Sequence, residues 1–277
     1  LGPIAVEVLE PLKRLRVRLQ ATEGLAADLV CTGRHRPIEE PRFTRRIGSR
    51  TLMDSTRMTQ NVTWEGTLSL DGTTHDGRLL AGTRDRSWGV RPVGAPDSQP
   101  PPAPPQFYWL WAPMQFGDFA LFAHTNDDAT GEPWNRSAVL VDCVHDRAEK
   151  LRDPMFRIRH TPGTRRAADA VLEARRQDGT PVVATLTPHA HFQMAALGYG
   201  HPTRGHGLFH GPLSVVTEAV RTADVDPALP LHAHVQALVS STLQIGTAAP
   251  MAGRGVLEQL AIGPHAPSGF RELWDLA

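Results

Sequence analysis

The chain is poor in cysteine, poor in aromatics and without an excess of either charge. Only two cysteines occur in 277 residues, Cys31 and Cys143. Neither lies in a Cys-x-x-Cys pair, which excludes a disulfide framework; a single bridge stays open, and two buried free thiols in a reducing compartment are the expectation. Lys+Arg and Asp+Glu balance at 29 each, so no global field draws the chain to nucleic acid or to anionic membranes. The basic clusters Lys13–Arg18 and Arg42–Arg50 read as a solvated strand face and a connector. No run approaches the ~18–20 apolar residues of a membrane helix. The stretch Leu1–Leu12, interrupted by Glu7 and Glu10, lacks the apolar core of a secretory signal. A soluble, cytoplasmic protein is expected.

Familiar catalytic signatures are missing as well. There is no Gly-x-Ser-x-Gly elbow, no phosphate loop, no Rossmann fingerprint and no His-Glu-x-x-His. The pairs His189/His191 and His232/His234 each place two imidazoles on one strand face. A metal site needs three or four converging ligands, so neither a metal nor a cofactor is assigned.

What the chain does have is punctuation. With 24 Gly and 24 Pro, it suits many strands and turns better than long helices. Leu15–Leu19 alternates strictly, as a half-buried strand does. Strand patterns recur at 25–32, 62–70, 107–111, 119–123, 137–142, 156–160, 170–174, 182–186, 213–220, 232–239 and 255–262, although 165–176 also admits a helix. Asp71-Gly72, Asp76-Gly77 and Asp178-Gly179 mark turns between them. Ser268 is a plausible N-cap for a short helix to Leu276. A faint echo of Trp64-Glu65-Gly66-Thr67-Leu68-Ser69 in Phe209-His210-Gly211-Pro212-Leu213-Ser214 fits two similar β units. The pattern is all-β, a barrel or sandwich.

The densest stretch is Gly82-Thr83-Arg84-Asp85-Arg86-Ser87-Trp88-Gly89. As a strand it puts Thr83, Asp85 and Ser87 on one face and Arg84, Arg86 and Trp88 on the other. Burying such charges requires partners, so the stretch is either a binding wall or a structural Arg–Asp lock. A second cluster, Gly198–Gly211, carries Tyr199 and His201 on tight backbone. Trp109 and Trp111 lie on one face of Phe107–Trp111 and are candidates for an apolar cavity wall. Glu258 and Gln259 are polar residues inside an apolar run, so one of them points into an interior.

These blocks, with Phe107–Pro113, Gly198–Pro202 and Val256–Gln259 in order, resemble a bacterial branch of the carotenoid hydratase-like (hydroxyneurosporene synthase-like, AttH-like) superfamily. The resemblance covers nearly the whole chain, and Arg84–Gly89 is its most specific block. It implies two lipocalin-like β-barrel units in tandem, here residues 1–155 and 156–277, around a largely apolar cavity. It also implies further strands before residue 1. The hydratases of that superfamily set their aspartate in Tyr-x-Asp, with a His-x-Trp upstream. In this chain Asp85 can stand for the aspartate, Thr83 replaces the tyrosine, and Met58-Thr59-Gln60 supplies neither upstream residue.

The implied activity is cofactor-independent, acid-initiated hydration, dehydration or isomerisation of a C=C bond in an apolar isoprenoid or polyketide-like substrate. Asp85 would donate the proton if burial keeps it protonated. Arg84, Arg86, Trp88, Trp109, Trp111, Glu258 and Gln259 would bind substrate, the indoles facing developing positive charge. Tyr199 or His201 would position water or accept a proton. The alternative of another class is a lipocalin-type binder for an apolar small molecule, which returns its ligand unchanged.

Overall fold

The computed structural model describes residues 2–90, 105–197, 201–205 and 208–277, and their regular structure is strand plus short 3-10 turns. The first seven strands are β1 (Ile4–Glu10), β2 (Arg14–Thr22), β3 (Leu25–Gly33), β4 (Ile38–Glu39), β5 (Phe43–Ile47), β6 (Arg50–Leu70) and β7 (Thr73–Val90). They form one open sheet organised by β6, whose 21 residues pair with β3, β4, β5 and β7. The Asp71-Gly72 turn makes β6 and β7 a long hairpin, Gly72 supplying a positive φ of 80° at low steric cost.

The remaining strands are β8 (Phe107–Phe116), β9 (Phe119–Asp127), β10 (Pro133–Asp142), β11 (Arg147–Lys150), β12 (Arg152–His160), β13 (Ala167–Arg175), β14 (Pro181–Gln193), β15 (Val235–Ile245) and β16 (Met251–Ile262). They form a second, nine-stranded antiparallel sheet in the order β11-β10-β9-β8-β16-β15-β14-β13-β12. It curls into a half-barrel around the main core, in which Leu110, Met114, Phe116, Leu172, Leu243 and Leu257 meet.

This architecture corrects the expectation of two lipocalin-like barrels. One sheet is a half-barrel whose end strands β11 and β12 share no ladder, and the other remains open and uncurled. The reason is the partner chosen by β8. It pairs with β9 on one side and with the distant β16 on the other, so strands from residue 107 to 262 join one sheet. Residues 155 and 156 both lie inside β12, and the change of sheet comes between Val90 and Phe107.

Two further expectations are corrected. The run 213–220 pairs with neither sheet and leaves Leu213, Val215, Val216 and Val220 exposed, which removes the tandem echo. No helix forms at 268–276; instead a 3-10 turn, Ala266–Ser268, is followed by irregular chain. Gly269 takes a left-handed φ of 77° and Phe270 bridges back to His265, so the chain turns instead of continuing as a helix, and the buried guanidinium of Arg165 pins the segment that follows. It donates to the carbonyls of Gly263, Glu272 and Asp275 and to the Asp275 carboxylate.

Alternation decides which side chains meet between the sheets. On β8 the even positions Tyr108, Leu110, Ala112, Met114 and Phe116 enter the half-barrel core, leaving Phe107, Trp109 and Trp111 on the other face. The open sheet covers that face. Asn61 Nδ2 donates to the Met114 carbonyl at 2.8 Å, and Gln115 Nε2 donates to the Gly82 carbonyl at 2.9 Å.

Candidate functional site

The site lies between the two sheets and is organised by Arg57 of β6. Its guanidinium sits 5.0 Å from the ring centres of both Trp109 and Trp111, a cation–π arrangement made from the odd face of β8. Nε and Nη2 both donate to Glu40 Oε2, at 3.1 and 2.8 Å. On its outer side Nη1 is 3.6 Å from Asp85 Oδ2. Glu40, just past the short β4, is further held by the Thr59 hydroxyl at 2.9 Å and by Trp111 Nε1 at 3.3 Å. His124 Nδ1 is 3.5 Å from the same carboxylate.

Electrostatics fix the charge states of this cluster. Burial opposes the Glu40 carboxylate, but His124 and Arg57 outweigh that penalty and hold its pKa below the ordinary range. Burial likewise opposes the Arg57 cation, and Glu40, Asp85 and Glu258 more than compensate, so its pKa is raised. Burial keeps His124 below the usual imidazole range, and Arg57 is the guanidinium that faces both Glu40 and Asp85.

Next to this cluster is a cavity of about 340 Å³. Its polar lining includes Ser55, Arg57, Asp85, Asn126, His234 and Glu258, and its apolar lining includes Phe43, Met53, Phe107, Trp109 and Leu260. His234 Nε2 is 2.7 Å from Glu258 Oε1, with both side chains largely buried. A larger groove of about 780 Å³ runs along β7, β15 and β16 past Leu80, Leu238 and Val256, and it shares Asp85 and Gln236 with the smaller cavity. The described residues include no cluster of three or more His, Cys, Asp or Glu arranged to hold a metal ion. Nor is any of their helices long and apolar enough to cross a membrane.

The candidates from sequence separate into three groups. Asp85, Trp109 and Glu258 line the cavity, and Trp111 lines the adjoining groove. Asp85 is only partly covered, its side chain 39% exposed and beside Arg57, which removes the burial that a proton-donor role required. Arg84 instead bonds Gln60 Oε1 at 3.2 Å, and Trp88 is 42% exposed on the outer face of β7. Arg86, on that same outer face, is not among the described lining residues of either space. Gln259 points the opposite way from Glu258 and accepts from the Ala167 amide at 2.7 Å. His201 caps its own loop, accepting from the Thr203 and Arg204 amides and pairing with Glu218 at 2.8 Å. Tyr199 lies outside the described residues.

Four participants were not singled out from sequence. Glu40 sits in Pro37–Pro41, which reads as a break, and Arg57 sits in a polar run without aromatic company. His124 and Asn126 alternate along β9 toward the open sheet, a period-2 pattern that was visible in Phe119–Asp127.

Comparison with known proteins places the chain in a family. Residues 1–271 match the model described as "Family of unknown function (DUF8625)", and the chain belongs to that family. No curated protein matches it in sequence. Among solved structures it is similar to kievitone hydratase from Nectria haematococca, at 13% identity and a TM-score of 0.57, covering 94% of this chain and 69% of that one. It is also similar to a putative AttH from Nitrosomonas europaea, at 14% identity and a TM-score of 0.48, covering 90% of this chain and 66% of that one. The chain thus spans about two thirds of the length of these relatives, and what the first likeness shows is a shared fold.

Proposed function

We propose that this DUF8625 member is a hydratase-type enzyme that adds water to, or removes it from, a C=C bond of a small, largely apolar substrate. The observation that carries the reading is the convergence on one cavity of two polar pairs, His234–Glu258 and Arg57–Asp85, between apolar walls. The name of kievitone hydratase, which shares the fold, supports the reaction class.

Addition of water to an alkene needs a proton delivered to one carbon and a water deprotonated at the other. The His234–Glu258 pair can deliver the proton, as a protonated imidazole backed by a carboxylate. Asp85, ion-paired with Arg57, accepts the proton of the attacking water, so the net change is one water added across the double bond. Elimination runs the same steps backward. Phe107, Trp109 and Leu260 supply the apolar wall against which the reacting carbons are held. The apolar groove past Leu80 and Leu238 provides room for the remainder of an isoprenoid or polyketide-like molecule.

The test is incubation of the purified chain with a panel of enones, prenyl alcohols and polyenes in ¹⁸O-labelled water. Incorporation of label into a product, lost in Glu258→Gln and Asp85→Asn, is expected. A ligand that binds yet is always recovered unchanged and unlabelled would make the protein a binder and overturn the reading.

A further inference from the structure

The opposite face of β8 and β9 carries a second group of reactive side chains that the hydration site does not use. There, inside the half-barrel, a separate cavity of about 400 Å³ is lined by Tyr108, Asp127, Arg136, His265 and Ser268, with Leu110, Met155, Phe156 and Ile158 as its apolar wall. Ser268 Oγ is 2.7 Å from His265 Nδ1. His265 Nε2 is 3.4 Å from Asp127 Oδ2. The Asp127 carboxylate is itself oriented by the Thr125 hydroxyl.

We propose that Ser268, His265 and Asp127 form a second catalytic site, a serine-nucleophile centre that hydrolyses carboxylic esters with a short apolar acyl group. Three features of the arrangement support it. The His265 ring is buried and stacked on Tyr108, with ring centres 3.7 Å apart and planes 15° from parallel, so its orientation is fixed. Its Nε2 is buried without a formed hydrogen bond although a carboxylate stands at ion-pair distance. Such a contact shortens when the ring becomes an imidazolium. The Tyr108 hydroxyl lines the same cavity as Ser268, and burial raises its pKa, so it stays protonated there. With the Ser268 hydroxyl donating to Nδ1, the ring proton is left on Nε2, the nitrogen that faces Asp127.

In the first half-reaction Ser268 Oγ attacks the ester carbonyl and its proton passes to Nδ1. The tetrahedral alkoxide, with Arg136 lining the same cavity as its countercharge, collapses and expels the alcohol, which takes that proton. Water then attacks the acyl-serine, again giving its proton to Nδ1, and the carboxylic acid leaves with Ser268 restored. One ester and one water give one acid and one alcohol. The apolar wall selects a short acyl chain over a charged one.

The probes are 4-nitrophenyl acetate and a fluorophosphonate, used on the full chain. Steady release of nitrophenolate and one fluorophosphonate adduct per chain, mapped to Ser268 by peptide mass spectrometry, are expected. Ser268→Ala should abolish both. Asp127→Asn should lower turnover at least tenfold and shift its pH profile while the adduct still forms at Ser268. If Ser268→Ala fails to fold, Ser268→Cys decides, because it should exchange fluorophosphonate labelling for rapid alkylation by iodoacetamide at that position. No adduct on the native protein, an adduct that survives Ser268→Ala, or a Ser268→Cys thiol that iodoacetamide does not alkylate would reduce the group to a structural latch and overturn the proposal.

Discussion

Arg57 gives two hydrogen bonds to a single oxygen of Glu40, and neither side chain is more than 17% exposed. A buried pair of this kind is costly to break, because the remaining charge is left without its main partner. Glu40→Gln is therefore expected to lower unfolding free energy by about 3 kcal/mol, read by urea denaturation. Replacing both residues by apolar ones should recover part of that loss. A change below about 1 kcal/mol for Glu40→Gln would mean that the pair behaves like a surface ion pair.

The His234–Glu258 pair is expected to act as one unit. His234→Asn and Glu258→Gln should each reduce turnover of a hydrated substrate by about 10²–10⁴, with little change in KM. The double variant should be no slower than the slower single one. Losses that multiply would assign the two residues independent tasks.

Acid should destabilise the fold in a definite window. Burial holds His35, His124 and His160 below the ordinary imidazole value of 6.5, and His160 falls to about 4. Between those values the unfolded chain binds protons that the folded chain refuses, so stability rises with pH across the window. The contribution is complete above about pH 6.5 and is lost as the pH falls toward the folded values. Glu40, whose folded pKa is depressed below 4.5, adds loss in the same direction at still lower pH. Calorimetry from pH 7 to 4 should show a falling Tm, with a shallower slope for His160→Asn. A flat Tm over that range would contradict the assignment.

Close strand approach at the floor of the groove gives a fourth expectation. A Cβ built on Gly255 would lie 2.3 Å from the Pro113 carbonyl oxygen and 2.9 Å from Met114 Cα. Those are backbone atoms of the paired strand β8, which cannot yield as a side-chain tip would. Gly255→Ala should cost about 1–3 kcal/mol, detected as a lowered Tm. An unchanged Tm would show that β8 and β16 can separate without penalty.

Much of this was legible wherever a property repeats every second residue. The alternation of Phe107, Trp109 and Trp111 identified a single face, and the adjacency of Glu258 and Gln259 implied that only one could enter the site. Other features depended on pairing that no local pattern encodes. Glu40 acquires its meaning from Arg57, Thr59, Trp111 and His124, which come from three other strands. His232 and His234 look equivalent in sequence, yet a 3-10 turn, Pro230–His232, ends between them and leaves only His234 at the buried start of β15. Two barrels were the expectation carried by the family resemblance, and strand patterns by themselves do not say which edges meet. The pairing of β8 with β16 settles that question, and hydrophobic periodicity is the same with or without it.

That pairing also has a consequence for synthesis. Phe107 is registered against Ile262, so β8 emerges from the ribosome roughly 150 residues before the strand that completes its ladder. At about 5–20 residues per second, the open edge of β8 waits roughly 8–30 s. During that wait the aromatic face of Phe107–Trp111 has β9 on one side and nothing on the other within its own sheet. The already synthesised open sheet is the nearest cover for it. The N-terminal strands would then shield a nascent neighbour first, and only later cover the cavity beside Arg57.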